Sequence, residues 1–457
     1  MPGRVALIAV VLVTALRLLI AAHVPLTEDE AYYWSWSLHP AWGYVDHPPG
    51  VMATIVAFRW LGSSPLAIRC GFILAGALAA LLAGGAAREL SGEERAATVT
   101  TVVFAFIPQL RLFVGEALPD GPYLLCWTAA LYFCTRFARC GLRRDAIGLG
   151  IALGAAMLSR FFGVALFLGV LAYALLPRQR TQLRAGLWIA FPVALALYAP
   201  NLIWNATHHW INVLFSAHDR QSIHGASVAL SISTVRALIY ATIIFGLTYV
   251  TAIRPRYALL AWTALPLPLL LVALSPFEAV ESYWLLGPLA SLVVATGIAV
   301  ARLSKGAQTG LGIAYAVPSA LAVAAAGFPA LPEPLQAALM QHVAMTRALY
   351  SPTPGFALLA PQVASRARAL GVVIASDRYE VAAELLYHGV PVEMFGRGLG
   401  AAQWKMWQNA PVPADALVVR DRPFPGATML RARYAGRDAT TLYLGADQAS
   451  AASAHSD

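Results

Sequence analysis

Residues 26–50 read LTEDEAYYWSWSLHPAWGYVDHPPG and carry four acids, six Tyr or Trp, two His and three Pro, with no Lys or Arg. They follow directly on an apolar run at residues 4–24. A run of that length spans a bilayer. Its flank, HVPLTEDE, has no small-residue cleavage pattern, so the run is read as a retained first span and not as a signal peptide. The polar, aromatic stretch is then the first loop on the far side.

The rest of the chain supports that placement. Of 457 residues, 59% are hydrophobic and 12% charged, about half the charge of a soluble domain. Further apolar runs lie near residues 65–89, 95–114, 121–138, 146–159, 162–176, 184–204, 229–251, 257–275, 283–301 and 309–329. Arg88 and Arg95, Arg136 to Arg144, Arg178 to Arg184, Arg254 and Arg256, and Arg302 with Lys305 fall in every second connection. That alternation is the positive-inside pattern. It requires the apolar stretch 146–176 to be two spans broken at LSRFFG. The sequence thus predicts an α-helical multispanning protein of about eleven spans over residues 1–329. Residues 330–457 then form a small outer α/β domain.

In that tail GVVIAS, VPVEMFG, DALVVR and TTLYLGA have strand patterns, and DRYEVAAELLYHG reads as a helix. The basic excess, +9 overall, sits in the apolar part: residues 1–329 hold 21 basic and 13 acidic residues, the tail 11 and 10. This distribution excludes nucleic acid as the reason for the charge. The four Cys lack metal spacing and imply no disulfide framework.

In the first loop, Thr27 followed by Glu30 forms a capping box, with Glu28 and Asp29 in the same helical turn. AYYWSWSL continues as a helix in the membrane interface, where Tyr and Trp settle. VMATIVAFRWLG is too short to span easily and reads as a second interfacial helix. The same loop adds Asp46, and other outer connections add Glu116, Asp120, Asp219, Glu278 and Glu281. Acids gathered on one membrane face need hydration or partners, which points to a shared polar cavity.

Each candidate has a plainer role. Asp29, Glu30 and Asp120 are also ordinary helix-start acids. Arg160 also suits snorkelling to lipid headgroups, although Arg is the preferred two-point holder of phosphate. Arg220, with His218 two residues before it, reads the same way. His208 and His209 in WNATHHW read as polar rim. There is no P-loop, G-x-G-x-x-G, H-E-x-x-H or G-x-S-x-G pattern. A transporter or flippase is the competing class, and the lack of any visible internal repeat of the kind transporters show counts against it.

EDEAYYWSWS followed by YVDHPPG resembles the first outer loop of bacterial family 39 membrane glycosyltransferases, the group of protein O-mannosyltransferases and lipid A aminoarabinose transferases. LPDGPYLLCWTAALYF, LGIALGAAMLSRFFGVAL, PNLIWNATHHW and SDRYEVAAELLYHG resemble later segments of the same group. The resemblance implies the GT-C architecture of the inner membrane, an outward site and a polyprenyl-phosphate sugar donor. It implies an acceptor hydroxyl on an envelope glycolipid such as lipid A, or on a Ser or Thr of a secreted protein. Residue by residue, it makes Asp29 the catalytic carboxylate, Glu30 its companion and Asp120 the acid of the second loop. Arg160, Arg220, His47 and His218 fall to the lipid phosphate. Relatives commonly have Lys where this chain has Arg160, which keeps the charge and changes the geometry. Some relatives bind a divalent metal, whose ligands this sequence does not place.

Overall fold

The computed structural model describes residues 3–107, 115–176, 181–214, 257–274, 282–342, 353–396, 399–408, 411–434 and 436–446. The apolar runs are helices: α1 (Arg4–His23), α4 (Pro65–Ser91), α5 (Glu94–Ala105), α6 (Asp120–Cys140), α7 (Arg143–Ser159), α8 (Gly163–Leu175) and α9 (Thr181–Thr207). They continue as α11 (Ala258–Ala264), α12 (Pro266–Leu274), α13 (Leu286–Ala301) and α14 (Lys305–Gly327). Between them lie the short α2 (Glu28–Trp36), α3 (Gly50–Ala57) and α10 (Ile211–Leu214). Among the described residues five helices are long and apolar enough to cross a membrane. The run at 229–251 lies outside the described residues.

α4 packs on α5 and α6, α6 on α7, and α7 on α9. Small residues permit these close approaches, and their faces build a core of Ala79, Ala83, Trp127, Leu131, Leu153 and Ala190. The stretch 146–176 is indeed broken, since α7 stops at Ser159 and Arg160 is extended at its C-terminus. The two ends of the bundle differ in chemistry. At one end Glu89 pairs with Arg139 (2.6 Å) and Glu93 with Arg302 (3.1 Å), which gathers several Arg-rich connections. The acids and aromatics of the first and second far-side loops gather at the other.

The tail contributes α15 (Glu333–His342), α16 (Pro354–Leu370), β1 (Ile374–Ser376), α17 (Tyr379–Tyr387), β2 (Glu393–Met394), α18 (Leu399–Lys405), β3 (Leu417–Arg420), β4 (Thr428–Tyr434) and β5 (Arg437–Gly445). The sheet runs β2-β1-β3-β5-β4. Strands β2, β1 and β3 are parallel, while β5 is antiparallel to β3 and β4.

One expectation is corrected. The aromatics of α2 are not free to anchor it in the membrane interface, because three of them pack inside the protein. Tyr32, Tyr33 and Trp36 are buried in a cluster that also contains Leu359, Val381, Leu385 and Trp404 of the tail. Tyr32 stacks against Trp404 at 6.0 Å and meets Tyr379 at 4.7 Å, while Trp34 meets Tyr387 at 5.2 Å. Burying such rings against each other gains more than leaving them half in water. The first loop is therefore a floor on which the tail sits.

Candidate functional site

The first loop is held by an ion pair inside the protein. Thr27 caps α2, its Oγ1 accepting from the Glu30 N–H at 3.3 Å, while Glu30 Oε2 accepts from the Thr27 N–H at 2.9 Å. Arg69 of α4 then donates Nε to Oε1 at 2.7 Å and Nη2 to Oε2 at 2.6 Å. Its remaining donors reach the carbonyls of Val24 and Pro25, each at 2.7 Å. Glu30 Oε1 also accepts from the backbone N–H of Ala117 in the second loop, at 2.9 Å. Burial alone would raise the Glu30 carboxyl, but the Arg69 charge and these bonds bring it below the ordinary range. One fully buried carboxylate thus joins the end of α1, the start of α2, α4 and the loop leading to Asp120. These contacts occupy both Glu30 oxygens, so its position suits holding Asp29 in place and not taking a proton beside it.

Asp120 opens α6, and its helix-start role and its partner coexist. Arg160 lies with Nε 3.1 Å from Asp120 Oδ1 and donates Nη2 to Oδ2 at 3.3 Å. Its guanidinium carbon is 5.2 Å from the centroid of the Tyr283 ring. Arg160 is therefore inside the protein among polar and aromatic groups, which sets aside the lipid-snorkelling role. The DHPPG turn reaches the same place, since a Cβ on Gly50 would come within 2.7 Å of the Ser159 backbone.

Tyr33 marks where these parts meet. Its hydroxyl is held well above the ordinary tyrosine range by burial first, then by the charges of Asp46 and Asp29, with Arg160 opposing. Its ring is 6.1 Å from that of His47. The charges of Asp29, Asp46 and Arg160 thus act on one hydroxyl, and His47 lies beside its ring. The acidic group continues onto the tail: Glu28 is raised by burial, then by Glu380, Asp29 and Asp421, with Arg378 opposing.

Arg220 and His218 lie outside the described residues. His39 stacks on Trp407 at 4.5 Å and His208 on Trp204 at 4.2 Å, so both are packing residues here. Among the described residues no three His, Cys, Asp or Glu side chains come together as a metal site. Sequence reasoning missed Arg69, Tyr33 and Tyr283. For Arg69 a signal exists, a lone Arg near the start of an otherwise apolar span. For the two tyrosines nothing in the sequence separates them from packing aromatics.

Residues 46–204 match the family model described as dolichyl-phosphate-mannose-protein mannosyltransferase. Among solved structures the chain is similar to ArnT from Cupriavidus metallidurans bound to undecaprenyl phosphate, with TM-score 0.68 and 16% identity over 97% of this chain and 98% of that one. The same protein in the apo state gives TM-score 0.67 and 18% identity over the same shares. The Archaeoglobus fulgidus oligosaccharyltransferase tethered to an acceptor peptide gives TM-score 0.54 and 12% identity, over 85% of this chain and 63% of that one. No curated protein matches the chain in sequence. The likeness to ArnT is one of fold and spans 97% of this chain.

Proposed function

We propose that this chain, an enzyme with the GT-C membrane glycosyltransferase fold, moves a sugar from a polyprenyl-phosphate donor to a hydroxyl of an envelope glycolipid. The observation that carries the reading is the buried Arg160, paired with Asp120 and lying over the Tyr283 ring at the end of the bundle where Gly50, just after His47, meets Ser159. Carboxylates there stand beside cations suited to a lipid phosphate.

The reaction is a single displacement. The acceptor oxygen attacks the anomeric carbon, its proton passes to the Asp29 carboxylate, and the bond from that carbon to the phosphate oxygen breaks. Polyprenyl phosphate leaves and the configuration inverts. Arg160 meets the growing negative charge, assisted by His47 and, from outside the described residues, Arg220 and His218. Asp120 holds the Arg160 fork in its plane, and Glu30 holds the loop that bears Asp29. No nucleotide enters, because the sugar arrives already activated on lipid.

In this reading residues 1–329 are the membrane body in the bacterial inner membrane, and 330–457 an extracytoplasmic cap. The first-loop resemblance to lipid A aminoarabinose transferases favours a glycolipid acceptor such as lipid A. The family model supports a second reading, transfer to Ser or Thr of secreted proteins. Mass spectrometry of envelope lipids and secreted peptides from a deletion strain separates them. Loss of one sugar mass from a lipid supports the first and loss from peptides the second. Unchanged lipids and peptides would sink both.

A further inference from the structure

The segment carrying Asp46 and His47 is held by side chains far apart in sequence. Asn201 of α9 donates Nδ2 to the Trp42 carbonyl at 2.6 Å. Asn212 of α10 donates Nδ2 to the Tyr44 carbonyl at 2.7 Å. Gln403 of α18, in the tail, accepts from the Val45 N–H with Oε1 at 2.9 Å. All three amide side chains are buried. The Asn201 amide is itself oriented, because its Oδ1 accepts from Asn205 Nδ2 at 3.3 Å. Gly43 lets the backbone approach, since a Cβ there would come within 2.2 Å of the Trp204 ring. Within the turn the Tyr44 N–H donates to the His47 carbonyl at 3.2 Å. After His47, Pro48 and Pro49 fix the backbone and Gly50 rests on Ser159.

Loops have backbone groups that must be satisfied when buried. Here three buried amides from three elements satisfy the Trp42 and Tyr44 carbonyls and the Val45 N–H of one short segment. Two of these belong to the membrane body and one to the tail. An arrangement of this kind fixes the segment's place relative to Arg160 more tightly than local turn chemistry alone. We propose that Asn201, Asn212 and Gln403 are positioning residues that set His47 against the donor phosphate, and that the tail acts on donor binding through Gln403. This rests on the proposed phosphate role of His47.

The test uses full-length enzyme in detergent, with undecaprenyl phosphate as binding probe and the sugar-loaded donor for turnover. Gln403→Leu should raise the Kd for the probe and the donor KM about fivefold to tenfold, the loss of one buried hydrogen bond. Gln403→Glu, whose carboxylate still accepts from Val45, should recover most of that. In a His47→Ala background Gln403→Leu should add nothing, because the group it positions is gone. Asn201→Ala in the same cycle repeats the test from the membrane side should Gln403→Leu fail to fold. A lower kcat with unchanged Kd and KM would mean a merely structural role and overturn the proposal. So would effects of Gln403→Leu and His47→Ala that multiply. Multiplying effects in an enzyme that still transfers sugar would leave the proposed function standing, whereas wild type that does not bind the probe overturns both.

Discussion

Glu30→Gln separates a local reading of TEDE from a tertiary one. Gln completes a capping box as Glu does, so the start of α2 by itself predicts a near-neutral change. The structure predicts otherwise. Glu30 and Arg69 are both fully buried, with contacts of 2.6 and 2.7 Å. Removing one charge leaves the guanidinium in the interior with its partner gone, and breaking a buried pair in this way costs about 3–5 kcal/mol. That is a large share of the ~5–15 kcal/mol by which domains are stable. The Gln amide nitrogen would also face an Arg69 donor in either orientation, together with the N–H of Ala117 or of Thr27. Purified Glu30→Gln should melt several degrees lower in detergent and be cut faster in the first loop by protease. Glu30→Gln with Arg69→Met should regain part of the loss, because no charge is then left buried. Wild-type melting for Glu30→Gln alone would refute this account of the clamp.

Arg160→Ala should weaken donor use about ten- to a hundredfold, since one charge-assisted contact contributes about 1.5–3 kcal/mol; an unchanged donor titration would end its phosphate role. Glu384 of α17 is buried, faces Glu28 and Glu30 of α2, and has His388 at 3.8 Å. Burial first, then those two acids, hold its carboxyl well above the ordinary range. A raised folded-state value means stability is fully present below the unfolded carboxylate pKa and is lost as pH rises through the folded one. Melting temperatures across pH should therefore fall on the alkaline side for wild type, and Glu384→Gln should remove that limb; parallel curves would count against it. A phosphatase fused to the C-terminus should be active and a fluorescent protein dark if the tail is outside as the Arg alternation predicts; the reverse would undo the orientation.

Much of the fold is legible because a bilayer imposes simple rules on sequence. Length and apolar composition find the helices of the described residues, and Arg placement the break at Arg160. In the tail, four strands follow from their alternating patterns and α17 from its helical one. Strand β4, TMLRARY, is missed because it is largely exposed and carries two Arg, so no apolar pattern announces it. The placing of α2 goes wrong for a different reason. Tyr and Trp suit a membrane interface and a protein interface equally well, and only the tail, hundreds of residues later, decides between them. Asp120 and Arg160 are legible singly as polar groups on one membrane face. The Glu30–Arg69 clamp is not, since local capping already accounts for Glu30. The amides of Asn201, Asn212 and Gln403 bond to backbone, which leaves no complementary residue in the sequence to find.

The central claim is that Asp29 accepts the acceptor's proton, and Asp29→Asn tests it most directly. Asn has nearly the same size and also suits a helix start, so fold and donor binding should survive. It takes no proton, so transfer of labelled sugar from polyprenyl phosphate should slow by about 10²–10⁴-fold. The measurement is the single-turnover rate of the purified variant with saturating donor, alongside its melting temperature and its affinity for undecaprenyl phosphate. The account predicts wild-type melting and affinity with transfer nearly abolished. A correctly folded Asp29→Asn enzyme that transfers sugar at the wild-type rate would contradict it.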